Sequence, residues 1–208
     1  MAMSFGILMK AFFKFGKRIV GKISPPPKPQ ALVEQEPLEL SKLPMPDPST
    51  WQSSKMDKSA KISPHFTLGE LCKSQTAERM GIDNVPNKSQ LDCLTLVAQR
   101  VLEPVREHFG KPFAPNSGFR CLELNSAIGS SSKSQHCKGQ AIDFDIPGTS
   151  NEEVARWIKD TISYDQLILE FYDGVDPNSG WVHVSYVSEE ANRREALIYN
   201  KSGYSFFE

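Results

Sequence analysis

Two histidines and one aspartate form the most chemically suggestive set in this sequence. His136 and Asp143 lie seven residues apart, and His183 lies in the segment Trp-Val-His-Val-Ser-Tyr at 181–186. This spacing is too wide for a single helical turn, so the first pair can converge only if His136 ends a loop and Asp143 stands on the following strand. Two nitrogens and one carboxylate oxygen leave a fourth position for water, which is typical of catalytic zinc. The alternative is two unrelated polar histidines at the core edge, and spacing alone leaves both interpretations open.

The residues around these three positions suggest how they could meet. Gly139 and Ala141 are small, as a backbone that passes close to a bound ion would require. Side chains alternate between the two faces of a strand, so Trp181 and His183 share a face. If that strand neighbours the strand of Asp143, the three polar groups can converge.

Residues 62–208 are the only part of the chain that is able to build a core. A Thr67–Glu70 capping box begins a short helix, and a long amphipathic helix follows and ends at Gly110, with a bend near Pro104. A second capping box, Ser150 with Glu153, begins another helix. Strands are predicted for these runs: 141–146, 166–172, 181–187 and 196–199. Helices and strands do not alternate regularly, so we expect an α+β fold in which helices pack on a small antiparallel sheet.

Composition and charge limit the class of protein. The 208 residues suit one domain with extensions, and a hydrophobic content of 39% supports a globular core. The 24 Lys and Arg residues are balanced by 25 Asp and Glu residues, which argues against a general nucleic-acid binder. The four cysteines form no CxxC pair, so free thiols in a reducing compartment are expected.

The first 61 residues have a different character. Residues 1–23 predict a basic amphipathic helix, because apolar side chains recur at spacings of three and four while lysines occupy another face. Such a helix could lie on an anionic membrane surface or dock on a partner protein such as a virion component. Residues 24–61 are rich in proline and predict an extended linker. Lys10 and Lys14 interrupt the apolar stretch and no small-residue cleavage site follows, which argues against a cleavable signal peptide.

Three ordered motifs carry a family resemblance. They are Ser-Gly-Phe-Arg at 117–120, Ser-x-His-x-x-Gly-x-Ala-x-Asp at 134–143 and Trp-Val-His at 181–183, preceded by Phe-Thr-Leu-Gly-Glu-Leu at 66–71. Together they resemble the zinc D-Ala-D-Ala carboxypeptidase family. That family includes phage endolysins and bacterial peptidoglycan peptidases, and it shares its fold with the hedgehog signalling domain. The resemblance spans nearly all of residues 62–208.

The resemblance implies roles for five residues. His136, Asp143 and His183 match the ligands of one zinc ion per chain. Arg120 matches the arginine that binds the substrate carboxylate or the polarised carbonyl, for which a guanidinium is well suited. Ser134 is expected to hydrogen-bond a ligand or the substrate, with an ordinary turn serine as the alternative.

The general base is less directly indicated. Several relatives place an acid three residues before the second histidine, and this chain has Gly180 there. Glu170 is our candidate, because a charged group in the apolar run 166–171 needs a partner or a function. Asp145 is the alternative, because it lies two residues beyond Asp143 on the same predicted strand face.

The sequence therefore predicts a zinc metallopeptidase that cleaves stem or cross-link peptides of bacterial peptidoglycan, as a carboxypeptidase or an endopeptidase. A phage-type lysin is expected, either free in the host cytoplasm before its release to the cell wall or carried by the virion. The rival prediction is a catalytically silent structural or adaptor component of a phage particle. A host cell-wall remodelling enzyme is a third possibility, which the missing secretory signal disfavours.

Overall fold

The computed structural model describes residues 57–208. The predicted helix at 1–23 and most of the predicted linker at 24–61 lie outside the described residues. The α-helices of the described range are α1 (Leu68–Cys72), α2 (Gln75–Met80), α3 (Lys88–Val97), α4 (Glu103–Phe109), α5 (Leu122–Ala127) and α6 (Asn151–Thr161). The strands are β1 (Ala141–Phe144), β2 (Gln166–Glu170), β3 (Trp181–Ser185), β4 (Glu195–Asn200) and β5 (Gly203–Phe206).

The helix boundaries follow from local capping chemistry. Thr67 and Glu70 form the predicted capping box at the start of α1. At α6 the Ser150 hydroxyl accepts from the Glu153 amide, but the reciprocal half of the predicted box is absent. The long predicted helix is present as α3 and α4, joined by a π-helical turn at Ala98–Leu102. That turn precedes Pro104, which has no amide hydrogen to donate to the helix, so the irregularity lies where the bend was expected.

The five strands form one sheet in the order β1-β3-β2-β4-β5. The β1–β3, β3–β2 and β4–β5 pairs are antiparallel, whereas β2 and β4 are parallel. The predicted α+β class with a mainly antiparallel sheet is confirmed. The parallel pair was not expected, because strand direction depends on how the connection returns over the sheet and not on local periodicity.

The two faces of the sheet have different roles. One face carries apolar side chains that are fully buried against the helices: Ile142, Phe144, Leu167, Leu169, Val182 and Val184. Helix α6 packs on β2 and β3, and α3 contacts β1. Because side chains alternate along a strand, the intervening residues Asp143, His183, Ile168 and Glu170 point to the opposite face. The fold thus uses one face of the sheet for stability and leaves the other for a site.

Within residues 57–208, no helix is both long and apolar enough to cross a bilayer.

Candidate active site

The sheet register brings Asp143 and His183 together. They are direct partners in the antiparallel β1–β3 pair, and the Asp143 Oδ1 atom lies 2.8 Å from His183 Nδ1. Both side chains are buried, with relative exposures of 6% and 7%. A buried carboxylate and a buried imidazole at opposing positions are costly unless they are paired or hold an ion. The predicted adjacency of the two strands is therefore the feature that assembles this part of the site.

His136 reaches the same point from a short 3-10 turn, Gln135–Lys138, that precedes β1. Its Nδ1 atom lies 2.7 Å from the carbonyl oxygen of Gly118, which accepts a hydrogen bond when that nitrogen carries the proton. This contact leaves Nε2 unprotonated and 3.3 Å from Asp143 Oδ1. A backbone carbonyl that fixes the tautomer and orientation of a histidine is a common feature of metal sites.

One ligand atom from each of His136, Asp143 and His183 lies within 4.8 Å of the other two. Burial lowers the pKa of His136, which favours the neutral ring that a metal needs. Burial alone would raise the pKa of Asp143, but the neighbouring His136 and His183 hold it well below its usual range, so the carboxylate is ionised. Two imidazole nitrogens and one carboxylate oxygen are a donor set that fits zinc. The three residues could therefore hold a metal ion.

Arg120 is held beside this cluster by hydrogen bonds of its side chain and by the anchoring of the adjacent backbone. Its Nη2 atom donates to Asp143 Oδ2 at 2.7 Å, and its Nε donates to the Ser117 hydroxyl at 2.8 Å. The Asn84 side chain accepts a hydrogen bond from the Cys121 amide and so anchors the chain next to Arg120. The guanidinium thus orients the carboxylate that faces the histidines, and it stands at the edge of the site.

Glu170 is the acidic side chain nearest to His183 on the neighbouring strand. Its Oε1 atom lies 4.0 Å from His183 Nδ1. Burial raises the pKa of Glu170, while His183 opposes that shift. Asp145, the alternative candidate, is exposed and accepts a hydrogen bond from the side-chain amide of Asn116. Glu170 lines the cavity above the cluster, and Asp145 does not.

The structure gives a steric reason for Gly180, where several relatives have an acid. The residue has φ +68°, and a Cβ atom built on it would lie 1.7 Å from the carbonyl oxygen of Glu170. Any side chain at this position would displace the Glu170 backbone. The acid and the glycine are therefore coupled: Glu170 occupies a position next to the cluster that requires glycine at 180.

The structure gives a packing reason for the glycine at 139. It has φ +71°, and an added Cβ would lie 2.2 Å from the carbonyl oxygen of Gln90 in α3. The backbone at this position therefore approaches another backbone segment closely. Gly139 ends the 3-10 turn in a left-handed conformation and so sets the path from His136 into β1.

A cavity of about 770 Å³ lies over the cluster. Ser134 is in its wall, as its predicted role requires, and no side chain of residues 57–208 is hydrogen-bonded to its hydroxyl. Basic and aromatic residues also contribute to the wall: Lys133, Lys138, Arg193, Trp181 and Tyr204. The cavity is thus polar and has room for a peptide segment.

The remaining histidines and the cysteines lie apart from the cluster. His65 contacts Glu103 at 2.6 Å, and His108 stacks on Trp157 with ring centroids 4.3 Å apart. The four cysteines are unpaired. Cys137, next to His136, is buried, and burial raises the pKa of its thiol.

Sequence reasoning missed a polar network around the buried Asp165 that supports the His136 turn. Asp165 accepts hydrogen bonds from Gln135 at 2.9 Å and from Arg193 at 2.7 and 2.9 Å. The bonds from Arg193 lower the pKa of Asp165 to about 2. The network ties the residue before His136 to the segments that flank β2 and β4. An acid just before a predicted strand was its only sequence signal, because the partners lie 28 to 30 residues away.

An α+β domain with a buried His-Asp-His cluster under a polar cavity defines a candidate metal-dependent hydrolase. The Peptidase M15 family profile matches residues 64–185, which is more than half of the chain. The chain therefore belongs to the Peptidase M15 family, a family of zinc-dependent metallopeptidases. The predicted resemblance is confirmed. A search of curated proteins gave no match to this sequence.

Proposed function

We propose that this protein is a zinc-dependent peptidase that hydrolyses peptide bonds in bacterial peptidoglycan. One observation carries the proposal: the three ligand atoms converge within 4.8 Å, and the Glu170 carboxylate lies on the same cavity 4.0 Å from His183 Nδ1. A metal centre with a nearby carboxylate is the arrangement that metal-assisted amide hydrolysis needs.

His136, Asp143 and His183 would hold the zinc through Nε2, Oδ1 and Nδ1. When bound, the ion would supply Lewis acidity, which lowers the pKa of a water molecule and polarises the scissile carbonyl. The protein holds the ligands ready for this by hydrogen bonds to their other atoms. The Gly118 carbonyl oxygen accepts from Nδ1 of His136, and Arg120 donates to the second oxygen of Asp143.

Glu170 would act as the general base. Its carboxylate accepts a proton from the attacking water and then transfers that proton to the leaving nitrogen, which departs as an amine. The pKa of Glu170 is raised by burial, so the group accepts a proton more readily than an exposed glutamate. Its backbone position is fixed by pairing with both Trp181 and Tyr199 in the sheet.

Arg120 would stabilise the charge that develops on the carbonyl oxygen. Two of its N–H directions are used by Asp143 and Ser117, and the remaining ones have no partner among residues 57–208. An always-charged donor that is already oriented costs little reorganisation when negative charge appears. Ser134, in the cavity wall, would hydrogen-bond the substrate.

The substrate class is supported by the cavity and by the family. Lys133 and Lys138 lie in the wall and form no ion pair within residues 57–208, which favours a peptide that carries carboxylates. Peptidoglycan stem peptides have this character. The resemblance to D-Ala-D-Ala carboxypeptidases points in the same direction.

Gly180 stands where several relatives have an acid, and the loss of that acid would favour the silent structural alternative. Its steric coupling to Glu170 offers another reason for the glycine. Glu170 then supplies the carboxylate that the alternative assumed to be lost. The site keeps a candidate base, a candidate ligand set and an oriented arginine, which together favour the enzyme.

We also propose that the protein is a phage-type lysin whose N-terminal segment attaches it to a virion protein or a membrane surface. The basic amphipathic pattern of residues 1–23 and the proline-rich residues 24–61 support this role. The full chain and a variant lacking residues 1–61 should differ in sedimentation with anionic vesicles if the partner is a membrane. Equal sedimentation would favour a protein partner.

The experiment that tests the enzymatic proposal is metal analysis beside digestion of purified peptidoglycan. We expect about one zinc per chain by elemental mass spectrometry and release of peptide fragments that a chelator abolishes. Glu170→Gln should retain zinc but lower the rate by about 10²- to 10⁴-fold. Glu107→Gln, on the exposed side of α4, is the matched control and should leave the rate unchanged.

Each other result has a defined meaning. Bound zinc without cleavage would support the silent structural component. Absence of zinc would contradict the ligand set. Unchanged cleavage by Glu170→Gln would remove Glu170 from the mechanism.

A further inference from the structure

A second cavity shares Arg120 with the first. Its volume is about 600 Å³, and Arg120 is part of its wall as well as part of the wall of the first cavity. The other lining residues come mainly from α2 and the residues just before it, from residues 116–119 between α4 and α5, and from α5. Arg120, which contacts the proposed ligand Asp143, therefore lines two cavities.

This arrangement bears on which bond is cut. A carboxypeptidase needs a closed subsite in which a cation meets the free carboxylate at the end of its substrate. Arg120 is the cation nearest to the ligand cluster; its guanidinium donates to Asp143 and Ser117, and the residue lines both cavities. The space next to Arg120 is therefore not confined to the first cavity.

The charges of the second cavity indicate what it could bind. Lys73, Arg79 and Arg120 oppose one acid, Glu78, in its lining. Within the described part of the chain, no carboxylate forms an ion pair with Lys73, and the guanidinium of Arg79 is hydrogen-bonded only to the Thr76 hydroxyl. Most of the other lining side chains are neutral and polar. Such a surface suits an extended peptide that carries carboxylates.

We propose that the second cavity binds the part of the substrate that lies beyond the scissile bond, so that the protein is an endopeptidase. The inference rests on the proposed function and adds to it the class of bond. The substrate would run from the first cavity past Arg120 into the second, with the internal amide at the His136, Asp143 and His183 cluster. No terminal carboxylate is needed for binding.

Two synthetic stem peptides that differ only at the carboxyl end test this assignment. One ends in D-Ala-D-Ala with a free carboxylate, and the other ends in the same residues as an amide. The zinc-loaded full chain is incubated with each, and the products are identified by mass spectrometry. We expect kcat/KM to differ by less than about 3-fold, whereas a carboxypeptidase loses about 30-fold or more when the bound charge is removed. We also expect a released carboxyl-terminal fragment longer than one residue.

A variant that fills the second cavity provides an independent test. Gln75 lies in the wall, is exposed and makes no side-chain hydrogen bond within residues 57–208, so Gln75→Trp should occupy space without loss of a contact. We expect KM for a peptide extended on the carboxyl side to rise by about 5-fold or more, while zinc content is unchanged. Glu107→Trp on the exposed side of α4 is the matched control and should leave KM unchanged.

The outcomes separate this inference from the proposed function. Release of a single terminal residue from the free acid alone would overturn the endopeptidase assignment and leave the peptidase intact. An unchanged KM in Gln75→Trp would remove the second cavity from the binding site. Failure of the zinc-loaded chain to cleave both peptides and intact peptidoglycan would overturn both proposals.

Discussion

The two edges of the sheet are built from the same kind of antiparallel pair, but their side chains differ in solvent exposure. On the β1–β3 edge, Asp143 and His183 face each other with relative exposures of 6% and 7%. On the β4–β5 edge, Tyr204 and Phe206 are 64% and 79% exposed. Polar groups are thus buried at one edge, and aromatic groups are left in contact with solvent at the other.

The difference shows that a polar group is buried in this protein where neighbouring groups compensate its charge. Asp143 contacts both histidines and Arg120, so its charge is compensated inside the protein. Phe206 pairs in register with Leu197 but has little packed over it. Substitutions at the first edge should therefore affect function and stability together, and substitution of Phe206 at the second should affect neither strongly.

The largest effect is expected from Asp143→Ala. The substitution removes a proposed ligand and leaves the half-buried charge of Arg120 without its partner, so we expect loss of zinc and a rate decrease of about 10³-fold or more. Breaking a buried ion pair should also cost about 3 kcal/mol of unfolding free energy. Zinc content, peptidoglycan digestion and chemical denaturation measure these effects. Asp160→Ala on the exposed face of α6 is the control, and an equal loss in both variants would contradict the site.

Gly180→Ala should have the next largest effect. The added methyl would meet the carbonyl oxygen of Glu170 at 1.7 Å in a residue with φ +68°, so the backbone of the proposed base must shift. We expect a loss of about 2–4 kcal/mol in unfolding free energy and a rate decrease of at least about 10-fold. Gly174→Ala is a control in the same loop, because that residue has φ +79° but no atom within 4 Å of the added Cβ. Equal melting temperatures for the two variants would refute the steric explanation.

Asp165→Asn tests the network beneath the His136 turn. The folded pKa of about 2 lies below the ordinary value of 3.8, so the ionised carboxylate stabilises the fold above pH 3.8, and this contribution is lost as pH falls towards 2. We expect the variant to lose about 1–2 kcal/mol at pH 7, with a smaller further loss than the parent between pH 4 and pH 2. Denaturant titrations at several pH values measure both. A parallel pH dependence of the two proteins would contradict the role of Asp165.

The smallest effect is expected from Phe206→Ala at the exposed edge. Because the ring is 79% exposed, the unfolding free energy should change by less than about 0.5 kcal/mol and cleavage should be unaffected. Phe144→Ala on β1, whose ring is fully buried, should cost about 3–5 kcal/mol. Similar losses at both positions would remove the contrast between the two edges.

Much of the fold could be predicted because its signals are local. The Thr67–Glu70 capping box, the glycine end of the long helix and four strands lie where side-chain pattern and capping chemistry indicated. Strand β5 was missed, because Gly203–Phe206 is short and packs only at one edge. The parallel pairing of β2 and β4 was also missed, because it depends on the route of the connection rather than on periodicity.

The sequence by itself determined which residues had the right chemistry. Histidine and carboxylate in a recurring order, an arginine in a motif and a glutamate in an apolar strand are recognisable without coordinates. Only the tertiary structure decided which of these atoms meet: the register sets Asp143 opposite His183, a turn adds His136, and Glu170 rather than Asp145 faces the cavity. It also showed a second cavity that shares Arg120 with the first. The carbonyl oxygen of Glu170 leaves no room for a side chain at position 180. The physical reason is that side-chain type and periodicity are local properties, whereas strand register and backbone contact join residues far apart in the chain.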